Sequence, residues 1–274
     1  AASDVYKRQV LNIGGDLLLI MVLHMGVLGA AVATVLSQLI AVVVCAIYLW
    51  KKYVILRIRV NDLKLQDAGM LRNMLSSGLS MGFMSSLVNI GTLTLQTSIN
   101  KLGQNIIIAH TAARKISEIF MIMFSVFGQT MATYCGQNYG AGKPKRIWQG
   151  IKASGVMMLI YALLTFVVLM VGARTLALLF VDTTELEILK NTELFLHVSA
   201  YFFPFLGLLC ILRYTIQGAG YTNLAMLSGV SEMIARTLVS IYAVPVYGYI
   251  AVCFGDPTAW LAADLFLIPA FIYV

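Results

Sequence analysis

The chain has 274 residues, 60% hydrophobic and only 11% charged, with a formal net charge of +7. A soluble domain carries about 25% charged residues, so this composition cannot supply a water-facing surface and its solvent must be largely lipid. In lipid every backbone polar group is paired internally, which leaves only helices or closed barrels as spanning structures. The apolar runs are long and continuous rather than short and alternating, which excludes the barrel. The positive charge does not point to nucleic acid, because the basic residues cluster in short segments between apolar runs, as orientation signals do. The fold class is therefore all-α, a polytopic transmembrane helix bundle.

In chain order, residues 1–9, AASDVYKRQ, read as neither a signal peptide nor a helix start. They look like the end of a truncated reading frame, so the chain is expected to be a fragment. A spanning helix needs about 20 mostly apolar residues. The runs predict about eight helices, over 10–24, 28–50, 71–100, 104–136, 149–172, 191–218, 222–247 and 257–274. A tight HMGVLG turn joins the first two. The basic stretch 51–70 predicts a cytoplasmic linker between two bundles, residues 10–50 and residues 71–274. A small-residue echo between GVLGAAVATVLSQ and GYIAVCFGDPTAWLAAD hints at an internal repeat but is too weak to establish one.

Lysine and arginine placement gives an orientation. Loop 51–72 carries Lys51, Lys52, Arg57, Arg59, Lys64 and Arg72 against Asp62 and Asp67. Loop 137–152 carries Lys143, Lys145, Arg146 and Lys152 with no acid. The turn near 101–104 has only Lys101, and segment 173–190 offsets Arg174 and Lys190 with Asp182, Glu185 and Glu187. Basic loops therefore alternate, which puts 51–72 and 137–152 in the cytoplasm.

Charges inside a membrane helix cost about 2.5–3.5 kcal/mol each on insertion scales and need a partner or a wet cavity. Arg114, Lys115 and Glu118 are three or four residues apart and can form a buried charge cluster on one helix face. Glu232 and Arg236, four apart, can pair in the same way. Two readings of that pair stand open: a static ion pair joining helices, or a proton- or cation-linked switch. Asp16, His24, His197, Arg213 and Asp264 are singles, and Asp16 and Arg213 can lie near interfaces. Ser85, Asn89, Thr92, Gln96 and Asn100 form a polar stripe that should face protein or water. The fourteen methionines suit either a core or a pocket for varied apolar shapes.

Cys45, Cys135, Cys210 and Cys253 are scattered, and so are His24, His110 and His197. They offer no metal spacing, and the cysteines read as buried thiols. Without a nucleophile–base pair or clustered ligands the chain is not expected to be an enzyme. In GQNYGAGKPKR (136–146), Gly136, Gly140 and Gly142 permit tight turns, while Gln137 and Asn138 can cap a helix end. The stretch lacks the phosphate-loop pattern, so nucleotide binding is rejected.

These segments resemble a known family. LVNIGTLTLQTSINKLG (87–103), IAHTAARKISEI (108–119), GQNYGAGKPKR, QGAGYTN (217–223) and SEMIAR (231–236), in that order, are similar to the carboxy-terminal lobe of multidrug and toxic-compound extrusion (MATE) transporters. NIGGDLLLI (12–20) and GVLGAAVATVLSQ (26–38) resemble the last two helices of the amino-terminal lobe. The resemblance, to the bacterial DinF-like branch, implies a twelve-helix protein of two six-helix lobes. This chain would hold the last two helices of the first lobe and the six of the second, and lack the first four. One branch of the family uses carboxylates on the helices equivalent to 71–100 and 191–218. Here those places hold Val88 or Asn89, and Leu206 or Gly207, so the chain resembles the branch whose coupling acid lies in the amino-terminal lobe. Ser80 stands where members often have proline, which implies a weaker kink.

The resemblance implies a secondary antiporter in a bacterial inner membrane, two bundles rocking about a central cavity. It would export organic cations or other amphipathic toxic compounds in exchange for sodium ions or protons, with no other cofactor. Its partners would be membrane lipid, those small molecules and the missing amino-terminal helices, and not nucleic acid. The pathway residues expected in this half are Asn89, Gln96, Asn100, Gln217, Glu232 and Arg236. A lipid-linked oligosaccharide flippase of the same superfamily is the alternative, kept open by Arg114, Lys115 and Arg236, which could meet a pyrophosphate headgroup. A non-transporting helical anchor is a further reading.

Overall fold

A computed structural model describes residues 10, 12–22, 24–53 and 68–273. The described residues are overwhelmingly helical and contain no strand. Eight helical segments follow the eight apolar runs: α1 (Asn12–Val22), α2 (Gly26–Lys52), α3 (Ala68–Ile99), α4 (Gln104–Gly140), α5 (Pro144–Ala177), α6 (Leu186–Gly218), α7 (Thr222–Tyr247) and α8 (Gly255–Tyr273). The helices α2 to α7 are long and apolar enough to cross a membrane; α1 is shorter and α8 carries Asp256 and Asp264. The chain is a multi-pass membrane protein. It divides into two units, Ala1–Ala68 and Gly69–Val274. Arg57, Arg59, Lys64, Asp62 and Asp67 of the expected linker lie outside the described residues.

In the first unit α1 and α2 form a close pair. Buried Gly29, Ala33 and Ser37 mark one stripe of α2, the part of the GxxGAAxAT pattern that faces its neighbour. A Cβ on Gly29 would stand 3.1 Å from the Leu19 carbonyl group, and one on Gly15 would stand 3.2 Å from the Ala33 Cβ. Small residues let the backbones approach, which replaces the hydrophobic drive that lipid cannot supply.

In the second unit α6 packs against α4, α5, α7 and α8. It has the most buried residues of any helix in the unit, Arg213 among them, as expected of a central helix. Phe124 of α4, Met158 of α5, Phe203 of α6, and Trp260 and Leu267 of α8 build one core. Leu95, Ile99, Phe195, Tyr249 and Val252 build a second. By contrast α5 presents Val156, Leu159, Ile160, Leu163, Leu164, Val167 and Val171 outward. A continuous apolar band of this kind is a membrane-facing surface.

Helix ends follow local chemistry. After α4, Lys143 N–H donates to the Asn138 carbonyl (2.9 Å) and Gly142 N–H to the Tyr139 carbonyl (3.0 Å), the Schellman arrangement that needs a left-handed residue between cap and exit. Gly142 supplies it at φ 66°. Gly136 and Gly140, also expected to permit turns, are instead helical. After α6 the same pattern returns, with Tyr221 N–H to the Ile216 carbonyl, Gly220 N–H to the Gln217 carbonyl, and Gly220 at φ 95°. Ser80 leaves α3 unbroken from Ala68 to Ile99. Its hydroxyl donates to the Ser76 carbonyl at 2.8 Å or to Asn223 Oδ1 of α7 at 2.6 Å. Pro245 removes one backbone donor from α7, and the turn before it, Val239–Ala243, widens to π geometry.

Among the described glycines the closest approach to another helix's main chain is at Gly218, where a Cβ would meet the Ala132 carbonyl oxygen and stand 3.0 Å from the Cys135 Cβ. Backbone cannot swing aside, so Gly218→Ala must separate α4 from α6. Overpacking costs about 1–3 kcal/mol. The expected result is a clearly lower thermal midpoint for Gly218→Ala in detergent, whereas Gly78→Ala, with nothing within 4 Å of the new Cβ, is unchanged or slightly stabilised.

Candidate functional site: a buried ionic chain

Four helices of the second unit bring charges to a common interior. Arg213 of α6 pairs with Glu232 of α7, and its Nε donates to Ser228 Oγ at 2.9 Å. One turn on, Arg236 Nη1 lies 3.1 Å from Glu232 Oε2, an ion-pair contact rather than an aligned hydrogen bond. Arg236 Nε donates to Asp256 Oδ1 of α8 at 2.9 Å, and Arg114 of α4 closes the chain on Asp256 Oδ2. The order is Arg213–Glu232–Arg236–Asp256–Arg114. Arg213, Glu232, Arg236 and Asp256 are all buried, so water does not screen them. Arg114, with 26% of its side chain accessible, is the open end.

The local sequence makes room for this chain. Gly91 of α3 lies beside Arg236, and a Cβ there would stand 3.0 Å from the Met233 Cα and 3.5 Å from the Arg236 side chain. On the same face of α3, Ser98 shares a 2.7 Å hydroxyl contact with Ser240. Asp256 opens α8, where a carboxylate also meets the positive end of the helix dipole.

Sequence reading finds part of this site. The Glu232–Arg236 pair is present as expected from its spacing. The cluster of Arg114, Lys115 and Glu118 is not: Lys115 and Glu118 are exposed, and Arg114 turns to Asp256 instead. The physical reason is the buried face of α4, which runs through Ala109, Ala113, Ile116 and Ser117 and leaves Lys115 and Glu118 on the other side. Arg213 was expected near an interface but is buried in the chain of ions. Asp256 was missed because the Gly-Asp-Pro entry to α8 lies just before the expected helix start at 257. Its sequence signal was an uncompensated acid at the edge of an apolar run.

The other expected pathway residues lie elsewhere. Asn89 and Asn100 are exposed on α3, and Gln96 donates to Asn100 at 3.0 Å along that stripe. The stripe is one residue out of phase with the buried face formed by Ser80, Met84, Gly91, Leu95 and Ile99, so it does not meet the ionic chain. Gln217 sits at the end of α6, half-buried, with its Oε1 unpartnered among the described residues.

Asp256 holds two arginines, so its removal leaves Arg114 without its acid and Arg236 with Glu232 alone. Breaking a buried ion pair costs about 3–5 kcal/mol. Asp256→Ala should therefore sharply reduce the folded fraction that survives heating, measured by size exclusion in detergent. Lys115→Ala, at an exposed position, should leave that fraction unchanged.

The family model described as MatE matches residues 80–243, well over half of the chain. The chain is 26% identical over 203 residues to the Probable multidrug resistance protein YpnP of Bacillus subtilis, covering 74% of this chain and 44% of that protein. It is 25% identical over 265 residues to DNA damage-inducible protein F of Escherichia coli, covering 94% of this chain and 54% of that protein. It thus spans about half the length of these relatives. Its fold matches a MATE transporter crystallised with MaL6 at a TM-score of 0.86 and 18% identity, covering 98% of this chain and 62% of the other. With the fold in agreement and the family model matching more than half of its residues, the chain belongs to the MatE family of transporters.

Proposed function

We propose that the whole protein is a secondary active antiporter of a bacterial inner membrane. It exports organic cations or other amphipathic toxic compounds in exchange for sodium ions or protons, and it acts on its substrates without enzymatic chemistry. The observation that carries the reading is the buried ionic chain in a lobe of this family. A chain of charges shared by α4, α6, α7 and α8 is costly in lipid and gains its use where an ion must be linked to helix position. The multidrug-resistance name of the Bacillus relative supports the substrate class.

The polar stripe Asn89, Gln96 and Asn100 offers amide donors and acceptors to a passing substrate, and Gln217 holds a buried carbonyl oxygen without a partner among the described residues. Glu232 and Arg236 act on helix position rather than on substrate. The flippase reading is less well supported, because Asp256 engages both Arg114 and Arg236 and leaves Lys115 as the one exposed cation of the three.

The decisive experiment expresses the full-length parent in a pump-deficient host and follows efflux of a fluorescent organic cation. Export should stop when both the proton and the sodium gradients are collapsed, and export that continues unchanged sinks the antiporter reading. In the same assay Gln96→Leu, which removes one polar partner worth about 1 kcal/mol, should lower efflux about fivefold at equal expression.

A further inference from the structure

The ionic chain contains three arginines and only two acids, a surplus of one positive charge. A third acid lies beside it. Asp264, two turns along α8 from Asp256, is 4% exposed, and neither carboxyl oxygen has a hydrogen-bond partner among the described residues. Its helix neighbours Ala263 and Leu267 pack in one core with Leu209, Cys210 and Leu212 of α6, the stretch that ends at Arg213, and Arg213 and Glu232 act on it electrostatically.

Asp264 is thus a buried carboxyl group that could neutralise the cluster yet makes no bond to it. An ionised carboxylate left in an apolar interior without a donor is among the costliest groups a protein can bury, whereas the neutral acid is tolerated. Arg213 already gives Nε to Ser228 and Nη2 to Glu232, and its Nη1 has no hydrogen bond among the described residues. It is the cation placed to answer a charge on Asp264.

The groups facing Asp264 can be named by element. Helix α6 contributes Cys210 and Arg213, and α7 contributes Glu232. The short helix Tyr249–Cys253 carries no charged side chain, its titratable groups being Tyr249 and Cys253. On α8 itself the other acid, Asp256, is held by Arg114 and Arg236. Helix α5 meets the far end of α8 through Trp148 and Phe271.

We propose that Asp264 is a proton-binding site, and that release of its proton draws Arg213 from Glu232 toward Asp264. The proton leaves to water, and Arg213 exchanges one carboxylate for another. The cluster then passes from a net charge of +1 to neutral, and the link between α6 and α7 is traded for one between α6 and α8. The inference rests on the proposed antiport only for its use in transport, where it makes the proton a coupling ion bound within this lobe.

The test needs no substrate. Full-length parent protein in detergent is followed by infrared difference spectroscopy as pH is raised, reading the carbonyl band of a buried carboxylic acid. The wild type should lose such a band, and Asp264→Asn, close in shape to the neutral acid, should lack that component. In Glu232→Gln the competing carboxylate is gone, so the band should disappear at lower pH than in the wild type. Unchanged difference spectra in Asp264→Asn overturn the proposal. So does a band that responds to sodium at fixed pH but not to pH at fixed sodium. If Asp264→Asn does not fold, the wild-type and Glu232→Gln titrations decide alone, and coincident midpoints overturn the exchange of Arg213. Failure of drug efflux with the titration intact would instead sink the antiport reading and leave the proton site standing.

Discussion

An arginine inside a lipid-facing bundle must meet a carboxylate, and much of the second unit's interior is arranged around that demand. Arg213, Arg236 and Arg114 come from three helices, and Glu232 and Asp256 are placed where each acid can hold two of them. Dispersion packing sets how closely the helices approach, but it is indifferent to small rotations of one helix about its axis. The ion pairs are not, because a rotation of α7 would separate Glu232 and Arg236 from partners on α6 and α8. Removing one member of such a chain exposes the others to a desolvation cost that nothing nearby can offset.

The glycines serve the same arrangement from the outside. Gly91 and Gly229 let α3 and α7 approach until main chain and side chain touch, with a Cβ at Gly229 only 3.0 Å from the Met84 Cγ. Gly255 does the same where α8 starts, against Leu95. An interface built from absent side chains leaves Arg236 room to run along the helix surface to Asp256. The small-residue pattern and the ionic pattern are thus parts of one packing solution.

Much of the architecture was legible because hydropathy is a local signal. Apolar runs located all eight helices, with ends misplaced by up to about five residues, as expected where helix ends run past the apolar run. The alternation of basic and acid-balanced loops is a reading of charge alone, and most of loop 51–72 lies outside the described residues. The site was legible only where its contacts were also local. Spacing found Glu232 with Arg236, but the same rule wrongly grouped Lys115 and Glu118 with Arg114, because it cannot tell which face of α4 is buried. Arg114 and Asp256 are 142 residues apart, and no periodicity relates them. The polar stripe of α3 was found by period, yet whether it joins the ionic chain depends on a one-residue phase difference that only packing reveals.

The order of residues along the chain carries a consequence for how the protein is made. Arg114 enters the bilayer with α4, but the acid that holds it is translated only with the start of α8. Until then Arg114 and Arg236 share no completed partner set, and α4 and α7 must wait beside the insertion machinery or bury unbalanced cations. Helix α8 therefore acts as a latch for membrane biogenesis, and a nascent chain stopped before Asp256 presents the cell's quality-control proteases with a bundle whose interior charges cannot close.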